Sequence, residues 1–278
     1  MTQTEPPWCR DIRPPGAWLR SLSEPFHDWL GWVNRQAHAA GVRLEDGRPI
    51  QFVQQARLPG GTAYERWIAQ MAEVPSRDTP HDRLNALVWL QLPRLKARLN
   101  AIQAFWIDRC GVSGQRGAWR DWATLLDENG ALMRDPSPGQ VLGQSLDRHD
   151  WQAAMVDHRA HWQGGEVLRL VGHALHEKLM RPFKGITAHA WRLEAGDGPG
   201  ASESSDWAWW DACAVSALPL ATQTVGRLPP TLRPLPVLGV PGWWHENARA
   251  DFYADPRVFR PPAQGRMMQA DSGSDDRC

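Results

Sequence analysis

Residues 79–89, TPHDRLNALVW, combine a helix-start signal with an apolar pattern of helical spacing. Thr79 is suited to cap a helix, Pro80 fits the first turn, and Asp82 is placed to close a capping box. Leu84, Leu87 and Val88 then share an apolar face, and the helix should run through Trp89. The stretch therefore predicts a helix whose apolar face packs against a core.

Helical and extended patterns alternate on both sides of this stretch. A period near 3.6 predicts helices, alternation predicts strands, and the Asn129-Gly130 pair predicts a hairpin turn. Helices are expected at 24–40, 62–72, from 93 onward, near Trp119, at 150–162, 166–180 and 207–218, and strands at 48–54 and 186–193. Together these elements predict an α+β fold, predominantly helical with a small β-hairpin or sheet.

Length and composition favour one main domain. A chain of 278 residues can bury one large core, and 42% hydrophobic with 22% charged residues is typical of a globular protein. We expect an extended N-terminal arm over residues 1–23 and a single domain over 24–260. A flexible connector at 195–206 and a disordered tail at 261–278 are expected from their composition.

Charge and hydropathy narrow the class of protein. A formal net charge of zero argues against a dedicated nucleic-acid binder. No window reaches the roughly 18 apolar residues of a membrane span, and the N-terminus lacks a signal-peptide pattern. The four cysteines lack the paired spacing of a zinc site or disulfide framework, which predicts reduced thiols in a cytoplasmic protein. A small-molecule ligand is one expected class of partner, and the sequence does not specify the oligomeric state.

Tryptophan is unusually frequent, with 17 Trp against 2 Tyr and 6 Phe. Most of these side chains are expected to fill the core, where each indole N–H needs a buried acceptor. The alternative is an aromatic surface on which sugars or bases stack.

Three polar islands interrupt the apolar patterns, at residues 80–89, 116–132 and 172–191. In the first, His81 and Asn85 are four residues apart and share a helix face. In the third, His173 and Glu177 have the same spacing and could act as metal ligands or as an acid/base pair. The alternative is structural, with caps in the first island and a ladder of helical ion pairs in the third.

The second island offers oxygen ligands and cations. Asp127, Glu128 and Asn129 lack the alternating acidic series of a calcium loop, so capping of a turn is the safer interpretation. Arg116 and Arg120 could clamp a phosphate or carboxylate, or pair with that acidic segment. No Walker-type lysine, Gly-x-Ser-x-Gly elbow or His-Glu-x-x-His helix is present in the sequence.

Taken together, the motifs resemble the bacterial domain of unknown function 3025 family. They are HDRLNALVWLQLPRLKARLN at 81–100, RGAWRDWATLLDENGAL at 116–132 and GHALHEKLMRPFKGITAHA at 172–190. The resemblance runs from about Phe52 to the segment 235–244. It implies a bacterial cytoplasmic protein of one architecture and supplies no activity, cofactor or partner. His176 stands where the family has an apolar residue, which argues against His176 as a site member.

The leading hypothesis is a metal-assisted hydrolase acting on a phosphate- or carboxylate-bearing substrate. The ligands or acid/base groups would be His81, Asn85, Asp127, His173 and Glu177, and the anion would bind to Arg116, Arg120 and Lys178. The sequence does not identify the metal or any other cofactor. The alternative is a non-catalytic domain that binds a ligand or protein in a groove lined by Trp243 and Trp244. The hydrolase hypothesis requires the three islands to converge in space.

Overall fold

The computed structural model describes residues 6–9, 17–112, 117–162, 167–194 and 206–261. These residues form a predominantly helical α+β fold with two small sheets, which confirms the predicted class. The helices are α1 (Ala17–Ser23), α2 (Phe26–Ala39), α3 (Tyr64–Met71), α4 (Pro80–Gln91), α5 (Pro93–Cys110), α6 (Ala118–Asn129), α7 (Val141–Asp147), α8 (His173–Lys178) and α9 (Trp207–Ala217). The strands are β1 (Gln51–Gln54), β2 (Glu73–Ser76), β3 (Gly130–Met133), β4 (Leu168–Leu170), β5 (Thr187–Arg192) and β6 (Leu232–Pro236).

Helix α4 begins where the sequence predicts. Thr79 Oγ1 accepts a hydrogen bond of 3.3 Å from the backbone N–H of Asp82. The Asp82 carboxylate does not close a capping box, because it accepts instead from the backbone N–H and the guanidinium of Arg77. The start of the helix is thereby tied to the segment that follows β2.

The larger sheet separates two hydrophobic cores. Its strand order is β4-β3-β5-β6, with β3 parallel to β5 and the other neighbours antiparallel. Leu132 in β3 packs into a core with residues of α2, α4, α5, α6 and α9, whereas its neighbours Ala131 and Met133 pack into a second core. This alternation is the period of two expected of a strand buried on both faces.

Two predictions around the polar islands are wrong. The expected helix at 166–180 is strand β4 followed by the short helix α8. The expected hairpin turn at Asn129-Gly130 is a direct junction between α6 and β3. Gly130 permits the junction, because a Cβ there would lie 2.1 Å from the carbonyl oxygen of Leu126.

The N-terminal segment also differs from the expectation. Residues 17–23 form helix α1 rather than an extended arm, and Arg83 Nη1 fixes its end by donating to the carbonyls of Ser21 and Glu24. The expected helix at 150–162 is broken into a π turn and a 3₁₀ turn. The connector residues 195–205 and the tail residues 262–278 lie outside the described residues.

The cysteines and tryptophans match their predictions in part. Cys9 and Cys213 are buried and carry no disulfide, whereas Cys110 is disulfide-bonded, so the prediction of four reduced thiols is wrong for Cys110.

Eleven of the 17 tryptophans are buried, as expected of core residues. Some buried indole N–H groups find an acceptor, as Trp162 does at the Ala154 carbonyl, but that of Trp89 has none in the described part of the chain. None of the described helices is long and apolar enough to cross a bilayer.

Candidate metal centre

The three polar islands converge on one cluster of side chains. His81 lies in the first turn of α4, Glu128 in the last turn of α6, and His173 at the start of α8, which packs against both other helices. The Nε2 atoms of His81 and His173 are 3.0 Å apart. Glu128 Oε2 lies 3.4 Å from His173 Nε2 and 3.9 Å from His81 Nε2.

These three atoms have the spacing of metal ligands. A triangle with sides of 3.0, 3.4 and 3.9 Å has a central point about 2.0 Å from every corner, which is the length of Zn–N and Zn–O bonds. Two imidazoles and one carboxylate are also a ligand set that catalytic zinc and non-haem iron sites use. The side chains of His81 and Glu128 are 30% and 34% exposed, so the centre is open on one side.

The far nitrogens of both imidazoles face carboxylates. His81 Nδ1 lies 3.0 Å from Glu177 Oε2, a hydrogen bond in which the ring donates to the carboxylate. The other ring nitrogen of His81, Nε2, points towards His173. The two Nε2 atoms, of His81 and His173, are 3.0 Å apart. Two lone pairs would repel each other at this distance, so a proton or a cation must lie between the two nitrogens. His173 Nδ1 lies 3.8 Å from Asp127 Oδ2, beyond hydrogen-bond distance, so only His81 is hydrogen-bonded to a carboxylate in the way that metal-bound histidines are.

A polar network of hydrogen-bonded side chains adjoins this cluster through Asp127. Lys96 Nζ donates to Asp127 Oδ1 at 2.5 Å and to Asn85 Oδ1 at 2.8 Å. The Asn85 amide in turn donates to the Tyr64 hydroxyl at 3.2 Å. The network connects α3, α4, α5 and α6 and fixes Asp127, which stands behind His173.

The electrostatics of the cluster keep the His173 imidazole unprotonated. Burial lowers the pKa of His173 to about 3, although the Asp127 carboxylate opposes this shift. Burial also disfavours ionisation of Asp127, but Lys96 outweighs it and holds the pKa of this carboxyl below its usual range. Burial and the charge of Asp127 raise the pKa of Glu128. The imidazole of His173 is therefore neutral near pH 7 and available as a ligand.

Close backbone packing sets the distance between α6 and α8. A Cβ on Gly172 would lie 2.4 Å from the carbonyl oxygen of Glu128, so only glycine permits this approach. The backbone N–H groups of Val171 and Gly172 both donate to the Gly130 carbonyl at 2.9 Å. Glu128 and His173 are thus held by hydrogen bonds between their own chain segments.

The structure separates the residues that the sequence analysis proposed for the site. His81, His173 and Glu177 lie at the centre, whereas Asn85 and Asp127 lie in the supporting network. Lys178 borders the centre, since its Nζ donates to Asn129 Oδ1 at 2.7 Å.

Arg120 is buried in the first turn of α6, about 10 Å along the helix from Asp127, and donates to the Gly111 carbonyl. Arg116 lies outside the described residues. His176 points away into an apolar cavity with Trp18 and Leu84, in line with the doubt cast on it by the family resemblance.

Sequence reasoning missed three members of the arrangement. Glu128 was assigned to capping a turn because the hairpin prediction placed it in a loop. Neither Lys96 nor Tyr64 was proposed as a site residue. A signal existed for Lys96, since Lys96, Asn100 and Gln103 form a polar stripe at helical spacing on α5, and the structure buries all three.

The tryptophan pair of the alternative hypothesis lies against the second hydrophobic core. Trp243 and Trp244 are half-buried and pack against the second core, with Trp243 6.3 Å from the Trp8 ring. A separate cleft of about 370 Å³ is lined by Trp191, Arg192 and Arg233 among others, and contains no member of the metal cluster.

Comparison with known proteins gives one match. No curated protein and no solved structure matches the chain. The model of a family described as "Protein of unknown function (DUF3025)" matches residues 50–263, which include every member of the cluster and its supporting network. The match confirms the resemblance seen in the three motifs. Because it covers well over half of the 278 residues, the chain belongs to the DUF3025 family.

Proposed function

We propose that the protein is a metal-dependent hydrolase that acts on an anionic substrate. The observation that carries the proposal is the triangle of His81 Nε2, His173 Nε2 and Glu128 Oε2, whose dimensions match a divalent transition metal. Three protein ligands and an open side leave room for a water molecule, as in catalytic rather than structural zinc sites.

A bound metal would lower the pKa of that water to about 7 and so supply a hydroxide nucleophile near neutral pH. Glu177 orients His81 by accepting its Nδ1 proton. Asp127, held by Lys96, stands behind His173. The residues of this chain therefore provide three ligands and a carboxylate behind each imidazole.

Cations beside the centre support an anionic substrate. Lys178 follows Glu177 directly and reaches Asn129, the neighbour of Glu128. Arg77 pairs with Asp82, next to His81, and its side chain is 58% exposed. We expect both groups to bind a phosphate or carboxylate placed at the open side of the centre.

The first test is metal content. Protein purified without an affinity tag is analysed by mass spectrometry before and after reconstitution with Zn²⁺, Mn²⁺, Co²⁺ or Fe²⁺. We expect one metal ion per chain in the wild type and none in His173→Ala or Glu128→Gln. The exposed His245→Ala serves as the matched control, because it removes an imidazole whose side chain is 76% exposed and distant in sequence from the centre.

The identity of the metal separates two chemistries. Zinc or manganese, with turnover of p-nitrophenyl phosphate or ester substrates, supports hydrolysis. Exclusive retention of iron would instead favour oxidative chemistry at a site of two histidines and one carboxylate. A wild-type protein that stays metal-free after every reconstitution would overturn the proposal.

A second candidate function is binding without chemistry, in the cleft beside β5 and β6. Arg192 Nη1 and Arg233 Nε both donate to the Asp147 carboxylate, at 3.0 and 3.1 Å, and Trp191 lines the same cleft. Its volume of about 370 Å³ suits a small ligand. Calorimetric titration of His173→Ala with inorganic phosphate tests this candidate, and Arg233→Gln should abolish any binding observed.

A further inference from the structure

The buried network below the metal centre has a defined hydrogen-bond direction. A lysine ammonium has three donors and no acceptor, so Lys96 must meet an oxygen of Asn85, at the observed 2.8 Å. The amide nitrogen of Asn85 therefore faces the Tyr64 hydroxyl, 3.2 Å away, and donates to it. The Tyr64 oxygen is an acceptor in this bond, which leaves its own proton for another partner.

That proton has no acceptor in the described part of the chain. The bond from Asn85 is the one hydrogen bond that the Tyr64 hydroxyl makes among the described residues. The other tyrosine, Tyr253, differs, because its hydroxyl donates to the Gly239 carbonyl within the second core. A phenol with an unused proton inside a polar site is able to donate to a ligand.

The position of Tyr64 brings this donor close to the metal centre. Asn85 follows His81 by one turn on the same face of α4, where side chains are about 6 Å apart. The Tyr64 hydroxyl, 3.2 Å from the Asn85 amide, is thus hydrogen-bonded to a residue one helical turn from the candidate ligand His81.

The hydroxyl also stays protonated at neutral pH. Burial, followed by the charges of Glu65, Asp82 and Asp127, raises the pKa of Tyr64 well above its usual range. A neutral O–H that the Asn85 amide holds in a fixed position is the kind of donor that stabilises a developing negative oxygen.

We propose that the Tyr64 hydroxyl donates a hydrogen bond to an anionic oxygen of the substrate bound at the metal centre, with Asn85 and Lys96 as positioning residues. The inference rests on the proposed function, which it deepens by assigning a substrate-contacting residue. Phosphate and carboxylate groups share the required oxygen chemistry.

Binding of inorganic phosphate to the cobalt-substituted protein tests the inference. The visible spectrum of Co²⁺ reports metal binding, and its change on addition of phosphate gives the dissociation constant. Tyr64→Phe removes only the hydroxyl, so we expect an unchanged cobalt spectrum and phosphate binding about tenfold weaker. Tyr253→Phe is the matched control and should leave phosphate binding unchanged.

A second variant diverts the proton while keeping the hydroxyl. In Asn85→Asp the new carboxylate can accept from both Lys96 and Tyr64, so we expect a loss similar to that in Tyr64→Phe. The added charge would also repel phosphate, and the double variant separates the two effects. If Asn85→Asp acts through Tyr64, it causes no further loss in the Tyr64→Phe background.

The outcomes separate this inference from the proposed function. Absence of a cobalt spectrum in the wild type overturns both. If the cobalt spectrum is normal and Tyr64→Phe binds both phosphate and acetate as tightly as the wild type does, only the role of Tyr64 is overturned. Weaker binding of either anion in Tyr64→Phe supports that role, and the anion affected identifies the substrate group.

Discussion

At the scale of single residues, glycines rather than charged groups set the geometry of the candidate centre. Gly172 lets α8 approach the backbone of Glu128 more closely than any residue with a Cβ would permit. The sequence shows Gly172 only as the residue before His173. Its role depends on a contact with a segment more than 40 positions earlier, which no local pattern encodes.

We expect Gly172→Ala to destabilise the protein by about 1–3 kcal/mol, because the added methyl forces α8 away from α6. The same shift should weaken metal binding. Urea unfolding and metal titration measure the two effects. Gly185→Ala is the control, since its Cβ would meet only the Phe183 ring, at 3.5 Å, an ordinary contact. Equal stability of the two variants would contradict the prediction.

His176 makes stability depend on pH. Burial lowers the pKa of His176 to about 4, against 6.5 in the unfolded chain. Between these values the unfolded chain binds one proton more than the folded chain does. Stability therefore falls as the pH is lowered through this window, with a slope of up to about 1.4 kcal/mol per pH unit from this group.

We expect His176→Leu to lose stability less steeply than the wild type between pH 6.5 and 4.5. The leucine fits the apolar surroundings of Trp18, Leu84 and Leu87 and takes up no proton on unfolding. Urea unfolding at several pH values gives both slopes. The exposed His245→Ala should keep the wild-type slope, and an unchanged slope in His176→Leu would refute the assignment.

At the scale of elements, long periodic patterns were predictable and short elements were not. Helices α4, α5 and α9 were predicted because apolar residues recur over ten or more positions and start signals precede them. Strand β4 has three residues, and the helical spacing of Leu168, Val171 and Leu175 concealed it. Its conformation comes from pairing with β3, a contact between segments about 40 residues apart.

The same failure explains what was missed in the site. His81, His173 and Glu177 were identified because their spacing on helices is visible in the sequence. Asp127 and Glu128 were both predicted to flank a hairpin turn, and only Asp127 was proposed as a site residue. In the structure α6 continues to Asn129, so Glu128 lies in its last turn beside the two imidazoles, which the hairpin prediction did not contain.

The cap of α4 allows a test at this scale. We expect Thr79→Ala to cost about 1 kcal/mol, because it removes the acceptor for the Asp82 N–H. It should also weaken metal binding, since His81 lies in that first turn. Asp206→Ala is the control, because Asp206 caps α9 by accepting from Trp209 at 2.9 Å. We expect Asp206→Ala to lose a similar amount of stability and to keep the metal affinity of the wild type. Equal metal affinities of Thr79→Ala and Asp206→Ala would contradict the prediction.

At the scale of the whole molecule, the candidate ligands come from three distant segments. His81, Glu128 and His173 meet only when α4, α6 and α8 pack together. Helices α1 and α2 precede the family match at residues 50–263, yet Trp18, Trp29 and Trp32 from them contribute to the same core as α4. The sequence predicts the class of fold because local patterns dominate it, whereas this assembly depends on long-range packing.

Metal binding should therefore stabilise the folded protein as a whole, because the unfolded chain lacks the assembled site. At a metal concentration 100 times the dissociation constant we expect about 2.7 kcal/mol, or a rise in Tm of about 5 °C. Scanning calorimetry with and without Zn²⁺ measures the shift. His173→Ala should show no rise, and a metal-bound wild type with an unchanged Tm would contradict the expectation.

The sheet between the two hydrophobic cores gives the candidate centre a mechanical role. His81 belongs to a helix anchored in the first core, and His173 to a helix whose Leu175 and Leu179 are anchored in the second. An ion held between the two rings would cross-link the two helices and, through them, the two cores. Any sliding of one layer over the other would then have to stretch bonds to that ion.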